Sequence, residues 1–342
     1  MNIKQSTLAA AVTAALAMGA AGHAAADVYA GSSLDIQNLT VVITGATSGT
    51  AITSFQFTAT NTATLNGVSD ATQSATCGGT PSSNTCSATQ PRLDPNPANA
   101  PGSSPLRTNN DFTLFGPSVN QYSNSDSVIY KSELTGDGPT HAQQIAESEL
   151  QSGSSASANA EIKSTTGFTF VFTLDEGGGG LTLDFDADPY LRALILNDPA
   201  FLNGSAQANI NASFTLTALN GDAISWSPQG TAANDCTVDI GLTGVTCVEG
   251  TTAHANGDTQ DLNRNLSVSA LGQDVNYSSA SGLTGFGITI KGLSSGTYTF
   301  ALNAVTSTQL RRVAVPEPGA LALMGIGLMG LGFSARRNKK LA

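Results

Sequence analysis

From Ala208 to Ala218 the chain alternates strictly. Ala208, Ile210, Ala212, Phe214, Leu216 and Ala218 take turns with Asn209, Asn211, Ser213, Thr215 and Thr217. Successive side chains of a strand point to opposite faces, so one face here is apolar and the other is wet. The same period of two recurs at Phe168, Phe170, Phe172 and Leu174, and at Leu181, Leu183, Phe185 and Ala187. It returns at Cys236, Val238, Ile240 and Leu242, at Leu266, Val268 and Ala270, and at Tyr298, Phe300, Leu302 and Ala304. Nearer the start, Leu39, Val41 and Ile43 follow it, as do Phe55, Phe57 and Ala59. Many such strands separated by Gly, Asn, Asp and Ser predict an all-β fold, an antiparallel β-sandwich of Greek-key, Ig-like or jelly-roll type. A parallel sheet covered by helices would show unbroken apolar runs instead.

Turn chemistry fits this pattern. Glu176 and the four glycines 177–180 separate two strands with matching inner residues, which predicts a hairpin. Gly241-Leu242-Thr243-Gly244 lies between Cys236 and Cys247, so these cysteines are expected to face inward on paired strands. Leu293-Ser294-Ser295-Gly296-Thr297-Tyr298 resembles the L-x-P-G-x-Y tyrosine corner of Greek-key sandwiches, whose Tyr hydroxyl bonds back to nearby backbone. Ser295 stands where proline is usual, and an ordinary hairpin turn fits the segment equally.

Some stretches break the alternation. Thr76 to Asp126 is rich in Pro, Ser and Asn, and its prolines interrupt a sheet ladder. It predicts a long surface loop over about 76–126, or a linker between a small N-terminal unit and a larger C-terminal one. Thr140 to Leu150 sets Ile145 and Leu150 on an Ala/Gln/Glu background and predicts a short helix. Asp188-Pro189 before Tyr190 suits either a helix start or a continuing strand.

The ends change the picture. Lys4 precedes an Ala-rich apolar run from Leu8 to Ala21, and Ala24-Ala25-Ala26 offers the small residues that signal peptidase requires. Residues 1–26 therefore read as a secretory signal helix, cut before Asp27. The body spans 27–312. An exported chain meets an oxidising compartment, where its four cysteines persist as disulfides. Neighbours in sequence lose least entropy on closure, so Cys77–Cys86 and Cys236–Cys247 are the expected pairs. Metal binding through cysteine is disfavoured, since the chain has no C-x-x-C and only three histidines.

Charge is sparse, with 25 acidic and 14 basic residues. Loss of Lys4 and of four basic residues at the C-terminus leaves 9 basic residues, a net of −16, or −15 if Glu317 is also lost. Such a surface repels phosphate backbones, so nucleic acid is not an expected partner.

Candidate chemistry is thin. Asp184, Asp186 and Asp188 put carboxylates on one strand face, and oxygen ligands of this kind suit Ca2+. An EF-hand-like loop starting at Asp184 would need Gly and Glu where Pro189 and Ile195 stand. The simpler account is that Leu183, Phe185 and Ala187 face the core, which leaves the aspartates facing water. Gly292-Leu293-Ser294-Ser295-Gly296 has the form G-x-S-x-G, but a strand follows and no histidine occurs after His254. His141 and His254 sit in polar surroundings and read as solvated surface residues. Glycoside hydrolysis needs two carboxylates across a sugar, and candidates such as Glu133, Glu161, Glu176 and Glu249 cannot be paired by spacing. Aromatic residues make up only 6%, and the single Trp226 reads as core. No catalytic residue and no resident cofactor are assigned.

The C-terminus carries the clearest signal. Val315-Pro316-Glu317-Pro318 leads an uncharged run from Gly319 to Phe333, and Arg336, Arg337, Lys339 and Lys340 follow. The run of 15 residues spans about 23 Å as a helix, short of a hydrocarbon core of about 30 Å, and Ser334 and Ala335 extend it. A transmembrane helix is thus expected over about 319–335, with its basic end cytoplasmic. Gly325, Gly327, Gly330 and Gly332 leave the helix accessible to another membrane helix. Together these parts resemble the PEP-CTERM sorting signal of exported Gram-negative proteins, here over 313–342. The resemblance implies processing near Pro316-Glu317-Pro318 by exosortase, a membrane-embedded cysteine transpeptidase. It also implies transient anchoring in the inner membrane, then delivery to the cell surface or an exopolysaccharide matrix, as in biofilm. The leading expectation is therefore a structural, adhesive or polysaccharide-associated surface protein without catalysis. The alternatives are a secreted polysaccharide or ester hydrolase and a permanently membrane-anchored protein.

Overall fold

A computed structural model describes residues 27–45, 52–80, 92–117, 120–130, 140–151, 158–197, 201–230, 234–254, 258, 260–279 and 282–314, with two isolated helical positions at Ile326 and Met329. The signal segment and the sorting tail otherwise lie outside the described residues, as does Cys86. No helix among the described residues is long and apolar enough to cross a membrane.

The body is all-β. In chain order its strands are β1 (Val28–Thr44), β2 (Ile52–Leu65), β3 (Val68–Ser69), β4 (Gln73–Gly79), β5 (Arg92–Leu93), β6 (Ala98–Asn99), β7 (Tyr122–Tyr130), β8 (Thr140–Leu150) and β9 (Ala158–Leu174). They continue as β10 (Gly179–Ile195), β11 (Phe201–Ala218), β12 (Ala223–Trp226), β13 (Cys236–Val238), β14 (Thr246–Glu249), β15 (Asn265–Val268), β16 (Gln273–Ser278), β17 (Thr284–Leu293) and β18 (Gly296–Ala314). One sheet runs β14-β17-β10-β1-β8-β7-β5, with β16 on β10 and β6 on β7. The other runs β13-β12-β11-β18-β9-β2-β3, with β15 on β11 and β4 on β2. Every pairing is antiparallel. Both sheets contribute to one apolar core, as a β-sandwich requires.

Half of the interface between the sheets is apolar, and there the period of two predicted most of the buried residues; it fails after Val238, where β13 ends and Ile240 lies exposed in a turn, and at Ala270, which is exposed. Phe185 of β10 stacks on Phe286 of β17 at 5.0 Å and meets Phe214 of β11 across the interior at 5.3 Å. Trp226 of β12 closes the group, 5.0 Å from Phe214. Phe168, Phe170 and Phe172 of β9 extend the core beside Phe300 and Tyr298 of β18.

The other half is polar. On β7, Ser123 and Ser125 donate to the carbonyls of Thr64 and Thr62 on the opposite sheet, and Ser127 donates to Asn61 Oδ1. On β8, Gln144 Oε1 accepts from Thr166 at 3.0 Å, and Ser148 pairs with Thr308 at 2.9 Å. These side chains are buried and each makes at least one hydrogen bond, although Gln144 Nε2 has no partner.

That polar seam accounts for two corrections. Thr140–Leu150 is a strand and not a helix, because both of its faces pack on polar groups and no apolar alternation marks it. The stretch 76–126 is not a free surface loop either. β4 pairs with β2, and residues 92–117 fold over the outer face of β7 and β8, burying Ala98, Ala100 and Arg107. The hub is Glu147, which is buried and accepts four hydrogen bonds. Tyr29 Oη (2.8 Å) and the Gly116 N–H (2.8 Å) reach Oε1, while Arg107 Nη2 (2.7 Å) and the Phe115 N–H (3.0 Å) reach Oε2.

Two connections are settled by sheet membership. The glycine-rich 177–180 segment is not a hairpin turn, since β9 and β10 lie in different sheets. Gly177 and Gly178 take left-handed φ of 106° and 68°, and a Cβ on Gly179 would collide with the Thr44 carbonyl. Leu293–Gly296 likewise crosses between sheets, and Tyr298 Oη donates to the Ser294 carbonyl at 3.0 Å, as in a tyrosine corner. Asp188-Pro189 continues as strand.

Cys236–Cys247 is a disulfide, as expected, and Cys77 is disulfide-bonded too. The strands carrying Cys236 and Cys247 are not paired with each other. β13 edges one sheet and β14 the other, so the bridge staples the two sheets together.

Candidate functional site

Asp184, Asp186 and Asp188 lie on the outer face of β10, opposite Leu183, Phe185 and Ala187, which are fully buried. Each aspartate already has partners. Thr251 Oγ1 donates to Asp184, Asn38 Nδ2 donates to Asp186 at 2.7 Å, and Ser279 Oγ donates to Asp188 at 2.8 Å. Asn38 reaches Asp186 because β1 bulges between Gln37 and Thr40, with Asn38 at φ 54°.

His254 is not a solvated surface residue. Its ring lies between two aspartates, with Nδ1 3.3 Å from Asp184 and Nε2 3.3 Å from Asp186. The reason is local to β17. Gly285 and Gly287 flank Phe286 on the outer face, and a Cβ on Gly285 would strike the His254 ring. Alternate glycines on a strand mark a close approach, and that was the sequence signal for this contact. His141 is also engaged. It bonds Asp35 at 2.7 Å and stacks on Tyr130 at 4.9 Å. Burial pushes the Asp35 carboxyl up, but hydrogen bonds from His141, Gln37 and Gln143 outweigh it and hold the group below its ordinary value.

A second acidic group was missed entirely. Asp235, Glu249 and Asp258 each bring a carboxylate oxygen within 4.8 Å of the others. Asp235 precedes β13, Glu249 ends β14, and Asp258 hangs from the 229–230 backbone. Asp258 Oδ2 accepts from the N–H groups of Gln229 (2.7 Å) and Gly230 (2.9 Å). Glu249 Oε1 accepts from the Trp226 indole at 2.9 Å and from the Asp235 N–H at 2.5 Å. Burial raises the pKa of both Glu249 and Asp258, and neighbouring carboxylates add to the rise. Only Glu249 figured among the acidic residues singled out in the sequence. An aspartate directly before a disulfide cysteine was the available hint, but Asp258 is too far along the chain for spacing to reveal.

Asp126, on the outer face of β7 beneath residues 92–117, has a carboxyl driven to neutral pH. Burial pushes its carboxyl up to about 7, against hydrogen bonds from the Asn110 and Ser127 N–H groups and the charge of Arg107, while Asp94 adds to the rise. An unfolded aspartate ionises near about 3.9, so the folded chain holds an extra proton between the two values. The resulting stability is full below the lower value and is lost as pH rises through about 7. Glu249 and Asp258 act in the same direction, whereas Asp274, held low by hydrogen bonds from Arg192, acts below this window. Melting temperature is therefore expected to fall between about pH 5 and pH 8, with a flatter slope in Asp126→Asn. An unchanged slope in a folded Asp126→Asn variant would remove this residue as the cause.

A small apolar gap between the sheets is lined by Ile36, Leu39, Phe57, Ile129, Phe168 and Leu302, among others, and has no carboxylate on its wall.

Residues 314–337 match the PEP-CTERM protein-sorting motif. No curated protein matches the chain. Among solved structures, the VP2 subviral particle of infectious bursal disease virus aligns at 12% identity, with 92% of this chain and 89% of that one covered and a TM-score of 0.09. The T=1 particle derived from the same virus aligns at 11% identity over 90% and 85%, also at 0.09. At that score neither likeness supports any statement about fold or function. The sorting motif implies an exported protein that is transiently membrane-anchored and processed by exosortase.

Proposed function

We propose that this chain is a non-catalytic surface protein, delivered by its sorting tail to the cell surface or an extracellular matrix, where it acts structurally, adhesively or in association with polysaccharide. The observation that carries this reading is the sorting motif at 314–337, placed after a disulfide-stapled β body. Only 11% of the chain's residues are charged and its net charge is negative, which suits a hydrated setting. His141 is paired with Asp35, and His254 with Asp184 and Asp186, which makes these groups clamps between segments rather than free acid, base or nucleophile.

Substitution of Pro316, Glu317 and Pro318 by alanine tests the sorting step in a host that carries exosortase. The substituted chain is expected to stay full-length in the membrane fraction, while the wild type is shortened and leaves it. Equal size and equal membrane retention in both would replace sorting with permanent anchoring. Turnover of a glycan or ester panel by the mature protein, lost on replacing one carboxylate, would replace the non-catalytic reading with a hydrolase.

A further inference from the structure

We propose that Asp235, Glu249 and Asp258 form a Ca2+ site that fastens the edges of the two sheets beside the Cys236–Cys247 staple. The convergence of three carboxylates within 4.8 Å is the first observation. The second is independent of their number. Asp258 is only 5% exposed, its Oδ2 is occupied by two backbone N–H groups, and its Oδ1 has no hydrogen-bond partner. A buried carboxylate oxygen left without a partner is costly, and it is the oxygen still available to a cation. Among the described residues, neither Glu249 nor Asp258 forms an ion pair.

The donor set selects the ion. Three carboxylates with no imidazole or thiolate suit a hard cation and not Zn2+. Three protein carboxylates drawn from separate segments suit the variable geometry of Ca2+ better than the strict octahedron of Mg2+, with water completing the shell. Weakly preformed extracellular sites bind Ca2+ with Kd on the order of 10⁻⁴–10⁻³ M, a range an exported protein meets. Position gives the ion its role. Asp235 adjoins Cys236 at the edge of one sheet, and Glu249 follows Cys247 at the edge of the other. A bound ion would join the sheets across the disulfide and pin Asp258 to both. Asp184, Asp186 and Asp188 offer no equivalent site, since the His254 ring already lies between the first two and Ser279 donates to the third.

The only tryptophan in the chain, Trp226, donates to Glu249, so it reports on this site directly. Terbium ion, a Ca2+ surrogate, is added to the full chain and excited through tryptophan. Sensitised emission is expected and is displaced by millimolar Ca2+. Ca2+ is also expected to raise the melting temperature by a few degrees over chelator, by mass action on the folded state. The paired substitution Asp235→Asn and Glu249→Gln keeps the acceptor for Trp226 and is expected to abolish both effects. If that variant does not fold, Asp258→Asn replaces it, since its side-chain oxygen still serves the 229–230 backbone. Absence of sensitised emission in the wild type overturns the site. So does a Ca2+ response that survives these substitutions but is lost in Asp184→Asn/Asp186→Asn/Asp188→Asn, which would place the ion on β10.

Discussion

Glu147→Ala is expected to lower folding stability by roughly 3–5 kcal/mol, read by chemical denaturation, because it leaves the buried guanidinium of Arg107 without its counter-ion. Both side chains of this pair are fully buried, 2.7 Å apart. The loss extends beyond the pair. Tyr29 Oη and the N–H groups of Phe115 and Gly116 also end on Glu147, so three further donors lose their acceptor. Arg107 itself holds the covering segment by donating to the carbonyls of Asp111 and Thr113, and it lies 4.3 Å over the Phe115 ring. The cost comes from stranding a charge and not from the intrinsic strength of the pair, so the joint substitution Arg107→Met with Glu147→Met should be less damaging than Glu147→Ala alone. A loss below about 1 kcal/mol for Glu147→Ala would mean that water enters the site and that residues 92–117 do not seal it.

This region is also where the sequence was least legible. A period of two is visible only when one face of a strand is apolar. β7 reads Tyr-Ser-Asn-Ser-Asp-Ser-Val-Ile-Tyr, and its first eight residues are buried. Its inner hydroxyls bond to the opposite sheet and its outer face to residues 92–117, so hydrogen bonds replace the apolar signal. β8 looked helical for the same reason. β9, β10, β11 and β18 were legible because Phe170, Leu183, Phe214 and Phe300 fill an apolar interior. Alternation does not say which sheet a strand joins. Both inner faces of a sandwich are apolar, so the 177–180 turn looked like a hairpin when it is a crossing. The same limit hid the acidic group, since Asp235 and Glu249 meet only because their strands edge opposite sheets. The aspartates of β10 were placed on the correct face, but their closure over His254 depends on Gly285 and Gly287 of a strand about a hundred residues away.

Phe185→Ala is expected to cost about 3–5 kcal/mol, in the range for deleting a fully buried aromatic ring. Phe185 is 0% exposed and touches rings from both sheets, Phe286 beside it and Phe214 and Trp226 across from it. Phe286 and Phe214 belong to strands fixed by long hydrogen-bonded ladders, so the cavity cannot collapse readily, and the cost should sit high in the range. Phe214→Ala removes a ring from the same contact. The double variant should therefore cost less than the sum of the single ones, by about 0.5 kcal/mol or more. Phe185 also lies between Asp184 and Asp186 on β10, so a shift of its backbone moves the carboxylates that hold His254. If Phe185→Ala costs no more than a surface substitution, within about 0.5 kcal/mol, the two sheets are not closed around this cluster. The disulfide and the carboxylates at the β13 and β14 edges would then bear the joining of the sheets, and reduction of Cys236–Cys247 in Phe185→Ala would separate them.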